Sequence, residues 1–212
     1  MNEYLTLAGL GESLLIEKKS KFIGNCVPVS TKEGALEFIA GIKAKYKDAS
    51  CNPNAYYIRE GNYNHSSDDG EPKGTAGIPI LDAIQKAGLV DAVVVVTRYY
   101  GGIPLGAGGL VRAFSNTASS ALRNAGTAVM TLCVTYEMTV NYPLYDQLVK
   151  LLEGLEAKIT DTSFTDRVVL RCILVKKKEK EMLRMLTELF RGNSNATLIS
   201  EEFYPFELIT GV

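Results

Sequence analysis

A single histidine, His65, stands in a chain of 212 residues, and the four cysteines, Cys26, Cys51, Cys133 and Cys172, form no Cys-x-x-Cys pair. Structural zinc needs nitrogen or sulfur ligands at close spacing, so a zinc site of the usual kind is excluded. Buried free thiols are expected, and disulfides are not. No apolar run approaches the roughly 20 residues of a spanning helix. The opening segment, MNEYLTLAGLGES, has neither a basic n-region nor a long apolar h-region. These absences predict a cytoplasmic protein with no membrane partner. A basic excess is missing too. The formal net charge is −1, with 13 basic against 12 acidic residues before Thr131 and 10 against 12 from there on. Diffuse neutralisation of nucleic-acid phosphates is therefore excluded, and any such contact must come from a local patch.

What is present suits a soluble globular protein: 46% hydrophobic and 22% charged residues. One larger core or two small ones both fit this length. ESLLIEKKS (Glu12 to Ser20) and FIGNCVPV (Phe22 to Val29) read as strands joined by a charged turn at Lys18, Lys19 and Lys21. Ser30 and Glu33 form an S-x-x-E capping box for a helix to about Lys47. AYYIRE (Ala55 to Glu60) reads as a strand, and the polar stretch from Gly61 to Gly77 as a long loop, a length usually tied to function or disorder. Ile78 to Ala87 reads as a helix. DAVVVVTRY (Asp91 to Tyr99) is a β-branched run of the kind buried on both faces of a sheet, and Leu110 to Ala125 is a helix closed by Gly126.

From Thr131 the order becomes strand, helix, strand, strand, helix, strand, which is that of a ferredoxin-like split βαβ sandwich. A boundary at Ala128 to Thr131 divides the chain into domains 1–128 and 129–212, α+β overall.

Three groups of residues bear chemistry. Asp68, Asp69 and Glu71 crowd an acidic loop, but an EF-hand would need a carboxylate where Ala76 stands, so the calcium reading fails. Nine of the 19 glycines fall between Gly70 and Gly109. YYGGIPLGAGGLVRAF (Tyr99 to Phe114) follows a strand and opens a helix, a place where backbone N–H groups favour an anion. It fits neither the Walker nor the dinucleotide pattern. Arg98 and Arg112 bracket it, and two readings stay open: they meet a phosphate or carboxylate, or they pair with Asp68, Asp69 or Glu71 and tie the loops together. His65 with Ser66, Ser67 and Asp68 has the residue types of a hydrolase triad, but adjacency in sequence is no evidence of one.

DDGEPKGTAGIPIL (Asp68 to Leu81) followed by VVVVTRYYGGIPLGAGGLVRAF (Val93 to Phe114) resembles the paired signature of the IMPACT family, whose bacterial members are called YigZ-like. SKFIG (Ser20 to Gly24) and Ala55-Tyr56 extend the likeness. The resemblance implies a ribosomal protein S5 domain 2-like fold for the first domain, and for the second a likeness to domains III and V of the translocation elongation factor. Family members usually carry a histidine just before the Ala55-Tyr56 strand. Here the segment reads SCNPN, and Cys51 is the one substitute with comparable chemistry. Eukaryotic relatives are implied to bind an activator of the starvation-responsive kinase that controls initiation.

Together these readings lead to a non-catalytic, cytoplasmic regulator of translation that binds RNA, the ribosome or a translation-associated protein. Arg98 and Arg112 contact the anion, Gly101, Gly102, Gly106, Gly108 and Gly109 let the backbone approach, Tyr99 or Tyr100 offers a stacking face, and the acidic loop shapes the site. No cofactor is expected. Two alternatives stay open. One is an enzyme on a phosphorylated or nucleotide substrate, with magnesium on Asp68, Asp69 and Glu71. The other is a protein-interaction module using the ferredoxin-like half.

Overall fold

The computed structural model describes residues 2–192 and 195–208. The chain is α+β and divides into two units, one of residues 5–128 and one in which residues from 129 onward are joined by the first few residues. The strands are β1 (Glu3–Leu7), β2 (Gly11–Glu17), β3 (Ser20–Pro28), β4 (Asn54–Ile58), β5 (Tyr63–Ser67), β6 (Ala92–Tyr99), β7 (Thr127–Val140), β8 (Lys158–Phe164), β9 (Val168–Val175) and β10 (Ala196–Tyr204). The helices are α1 (Lys32–Lys45), α2 (Gly77–Lys86), α3 (Ala107–Ala125), α4 (Tyr142–Gly154) and α5 (Glu179–Leu189).

In the first unit the sheet order is β2-β3-β6-β4-β5, with every pairing antiparallel. β6 alternates between two cores. Val93 and Val95 pack with Ala35, Ile39 and Ile42 of α1, while Val94 and Val96 pack with Ile80 and Ile84 of α2 and Phe114 of α3. Its valine run is thus buried on both faces although the sheet is antiparallel, because helices cover both sides. Helix α3 buries Leu110, Ala113, Phe114, Thr117, Ala118, Ala121 and Leu122 at three- and four-residue spacing. Phe114 meets Phe22 edge-to-face with centroids 5.1 Å apart. Removing such a ring costs about 3–5 kcal/mol.

The second sheet has five strands in the order β1-β7-β9-β8 with β10 also paired to β7, the β10–β7, β7–β9 and β9–β8 pairings being antiparallel, and α4 and α5 lie over a core of Val134, Tyr136, Met138, Leu148, Leu152, Leu170 and Leu186. This is the split βαβ arrangement expected from the element order. The lysine run at Lys176 to Lys178 is not a free cationic patch. Lys176 pairs with Glu179 and Glu201, and Lys178 with Glu156.

Three local expectations are corrected. Thr31, not Ser30, caps α1, its hydroxyl accepting the Gly34 N–H at 3.1 Å, so the Ser30–Glu33 box is not used. The polar loop contains a strand, β5, on the sheet edge. Helix α3 begins at Ala107, three residues earlier than its periodicity suggests, with Gly106 at φ 72° as its N-cap.

Candidate functional site

The acidic loop follows β5, and its three carboxylates turn to three different places. Asp68 accepts the N–H groups of Gly74, Ala76 and Gly77 at 2.8, 3.0 and 2.8 Å, which caps the start of α2 from outside the helix. Burial alone would raise the Asp68 carboxyl, but these three donors together hold it below its usual range. Asp69, at φ 45°, takes Lys43 Nζ at 2.6 Å and the Asn52 N–H at 2.8 Å. Glu71 accepts Arg98 Nη1 at 2.5 Å and the Cys51 thiol at 3.0 Å. Among the described residues no three His, Cys, Asp or Glu side chains gather as a metal would require. The three carboxylates thus form a clasp that fastens the loop, each satisfied by a different partner.

Arg98 turns inward, where an external anion was expected to meet it. It is 7% exposed, its charge is balanced by Glu71, and its guanidinium lies 5.4 Å from the Phe22 ring and 5.3 Å from the Tyr100 ring. Of the two readings left open by the sequence, the tie between loops holds for this residue. Side-chain parity explains it. Arg98 follows Val94 and Val96 on the β6 face covered by α2 and α3.

The other glycine-loop residues have separate duties. A Cβ on Gly101 would lie 2.1 Å from the Lys19 carbonyl carbon, so this glycine admits a neighbouring backbone, the β2–β3 turn. Gly101 N–H also donates to Ser20 Oγ at 3.1 Å. Tyr99 is half-buried and donates to Asp48 Oδ1 at 2.9 Å, while Tyr100 is 50% exposed. Gly102 and Gly106 both take positive φ, and around Gly106 and Gly108 the space is open.

Arg112 is the second arginine, and it remains at the surface. With Leu15, Glu17, Lys18, Leu105, Gly109, Ala113 and Asn116 it lines a cleft of about 160 Å³ beside the start of α3. That helix end is uncompensated: Gly106 offers no side-chain cap, and no acidic residue lies in the first turn. Leu110 N–H is bonded to the Gly106 carbonyl, so the N–H groups of Ala107, Gly108 and Gly109 have no intrahelical acceptor. Lys18 and Lys19 at the β2–β3 turn were read only as turn residues. The pairing of Lys21 with Tyr99 brings their turn to the glycine loop. The charged turn was visible in the sequence, but its neighbour was not.

His65 does not assemble a triad with Ser66 and Ser67. It pairs across β4–β5 with Tyr56 and stacks on that ring at 5.1 Å between centroids.

Residues 18–122 match the profile described as the Impact N-terminal domain, and residues 138–193 match Domain of unknown function (DUF1949). IMPACT family member YvyE of Bacillus subtilis is 34% identical over 196 residues, spanning 92% of this chain and 90% of that protein. The chain belongs to the IMPACT family. IMPACT family member YigZ of Escherichia coli is 33% identical over 187 residues, covering 87% of this chain and 92% of the relative. A solved structure titled as the crystal structure of a hypothetical protein superposes with a TM-score of 0.63 at 32% identity, over 95% of this chain and all of that one.

In this IMPACT family member Cys51 occupies the segment before β4 where the resemblance places a histidine. Burial first, then its hydrogen bond to Glu71 and that carboxylate's charge, push the thiol far above its usual range. Cys51 is therefore a protonated donor to Glu71 and not a nucleophile at neutral pH.

Proposed function

We propose that this protein is a non-catalytic regulator of translation whose first unit binds RNA, free or within the ribosome. The binding face is made of the Lys18–Lys19 turn, Arg112 and the glycine-led start of α3. The observation that carries this reading is the cleft that Lys18, Arg112 and Gly109 line together with Glu17, at the uncapped start of a 19-residue helix. Phosphate suits such a place because backbone donors, the helix dipole and guanidinium act together on one anion. Tyr100 and Ile103, 50% and 40% exposed on the same loop, offer apolar surface to an unstacked base. A local patch of this kind is compatible with a net charge of −1. It also agrees with the translation role that the family resemblance implies.

Equilibrium titration of an RNA oligonucleotide across a salt series tests the reading. Binding weakens as salt rises, and the Lys18→Ala, Arg112→Ala double variant lowers the slope of log K against log salt by about two, one per lost phosphate contact. Equal affinity and equal slope in the two proteins would remove these residues from the site.

A further inference from the structure

Strand β2 ends the first sheet, and among the described residues it has one neighbour, β3. The turn at Lys18 and Lys19, with φ of 45° and 63°, closes the hairpin with Glu17 opposite Ser20. In an antiparallel hairpin closed this way, hydrogen-bonded pairs recur at every second residue from the closing pair. Glu17, Leu15, Ser13 and Gly11 thus direct their N–H and C=O groups to β3, while Glu12, Leu14 and Ile16 direct theirs outward. The Glu12 carbonyl, which accepts Asn124 Nδ2 at 2.7 Å, agrees with that parity.

Leu14 and Ile16 are also 59% and 66% exposed. The register runs unbroken along β2, with no proline or bulge. Edge strands are normally blunted by such devices, and an apolar, regular edge is a template for another strand.

We propose that the β2 edge pairs antiparallel with the β2 edge of a second copy of this chain, joining two five-stranded sheets. The argument for a second copy is self-complementarity. Outward residues must face outward residues, so a two-fold pairing centred on the strand sets Leu14 opposite either Leu14 or Ile16. The Leu14–Ile16 register places Glu12 of each copy opposite Lys18 of the other and gathers Leu14 and Ile16 of both copies on one face. The alternative leaves Glu12 opposite Ile16. Charge complementarity selects the first. Each Leu14–Ile16 pair then exchanges two backbone hydrogen bonds, and the Glu12 carbonyl keeps Asn124.

Sedimentation of the full chain without nucleic acid, up to about 100 μM, covers the range of a small interface. A monomer–dimer equilibrium is expected, with amide exchange at Leu14 and Ile16 slowing as concentration rises. Ile16→Lys abolishes the dimer, and Leu198→Lys in the second unit leaves it intact. Glu12→Lys weakens it by about tenfold or more through like charges at both ends. The Glu12→Lys, Lys18→Glu double variant restores it, because each copy then carries both reversed charges. A monomer at every concentration would overturn the proposal, as would a dimer indifferent to Ile16→Lys or a charge reversal that fails to restore. Protection of the two amides only on addition of an unrelated extended peptide would also overturn it, in favour of a heterologous strand.

Discussion

Arg98 Nη1 lies 2.5 Å from Glu71 Oε1, and both side chains are more than nine-tenths buried. This one contact joins the acidic loop to the end of β6, and it explains why the two stretches that mark the family stand together in space. Cys51 and the rings of Phe22 and Tyr100 complete the surroundings of the pair. The residues most conspicuous in the signature, Arg98 and Glu71, are thus buried and paired with each other.

Glu71→Ala leaves the Arg98 charge buried without its partner. Breaking a buried pair on one side costs about 3–5 kcal/mol, whereas replacing both partners with apolar residues of similar size costs much less. Chemical denaturation of Glu71→Ala, Arg98→Met and the Glu71→Leu, Arg98→Met double variant checks this. The double variant is expected to be more stable than Glu71→Ala. Additive losses would show that the pair is not coupled.

Asp68 makes stability depend on acid. Its folded carboxyl sits below the unfolded value of about 3.9, through the N–H donors of Gly74, Gly77 and Ala76 working against burial. A depressed carboxyl contributes stability that is full above the unfolded value and is lost as pH falls through the folded one. Asp68→Asn is expected to lose about 1 kcal/mol at neutral pH, the size of a helix-cap loss. It should also fall less steeply than wild type on acidification below pH about 4. Urea unfolding at a series of pH values reads this, and parallel curves for the two proteins would contradict it.

Much of this was legible in the chain, and for physical reasons. The β6 valines announced burial on both faces, and the second half showed its βαββαβ order through alternating periods. β5 was missed because TyrAsnHisSerSer is a polar strand on an edge, exposed enough to show no alternation. The start of α3 was missed because Ala107, Gly108 and Gly109 carry no apolar period. The inward turn of Arg98 had a usable signal, its place two residues beyond Val96 on one strand face. The nearness of Lys19 to Gly101 had none, since it follows from the non-local pairing of β3 with β6.

Gly108 separates folding from binding. A Cβ there meets nothing within 4 Å, and the residue lies in the first turn of α3. Gly108→Ala should raise stability by about 0.4–1 kcal/mol by restricting the unfolded chain. The added methyl also stands next to Gly109, which lines the cleft, so RNA affinity should fall. Thermal unfolding and RNA titration on one preparation check both halves. A variant that is more stable and binds RNA as well as wild type would take the helix start out of the site.

The four thiols should be silent in the folded protein. All are buried. Burial raises Cys26 and Cys172 to about 12 and Cys133 to about 11, and lifts Cys51 further with the help of Glu71. Reaction with a thiol reagent at neutral pH is expected only as the protein opens, at a rate that follows unfolding. Rapid labelling of one cysteine under native conditions would show a site more open than this.

The most direct test is co-sedimentation of the purified protein with ribosomes across a salt series, with the Lys18→Ala, Arg112→Ala variant run alongside. The wild type is expected to pellet with ribosomes at low salt and to release as salt rises, and the variant to release at lower salt. A wild type that stays in the supernatant at every salt concentration, or a variant that pellets identically, would contradict binding through this face.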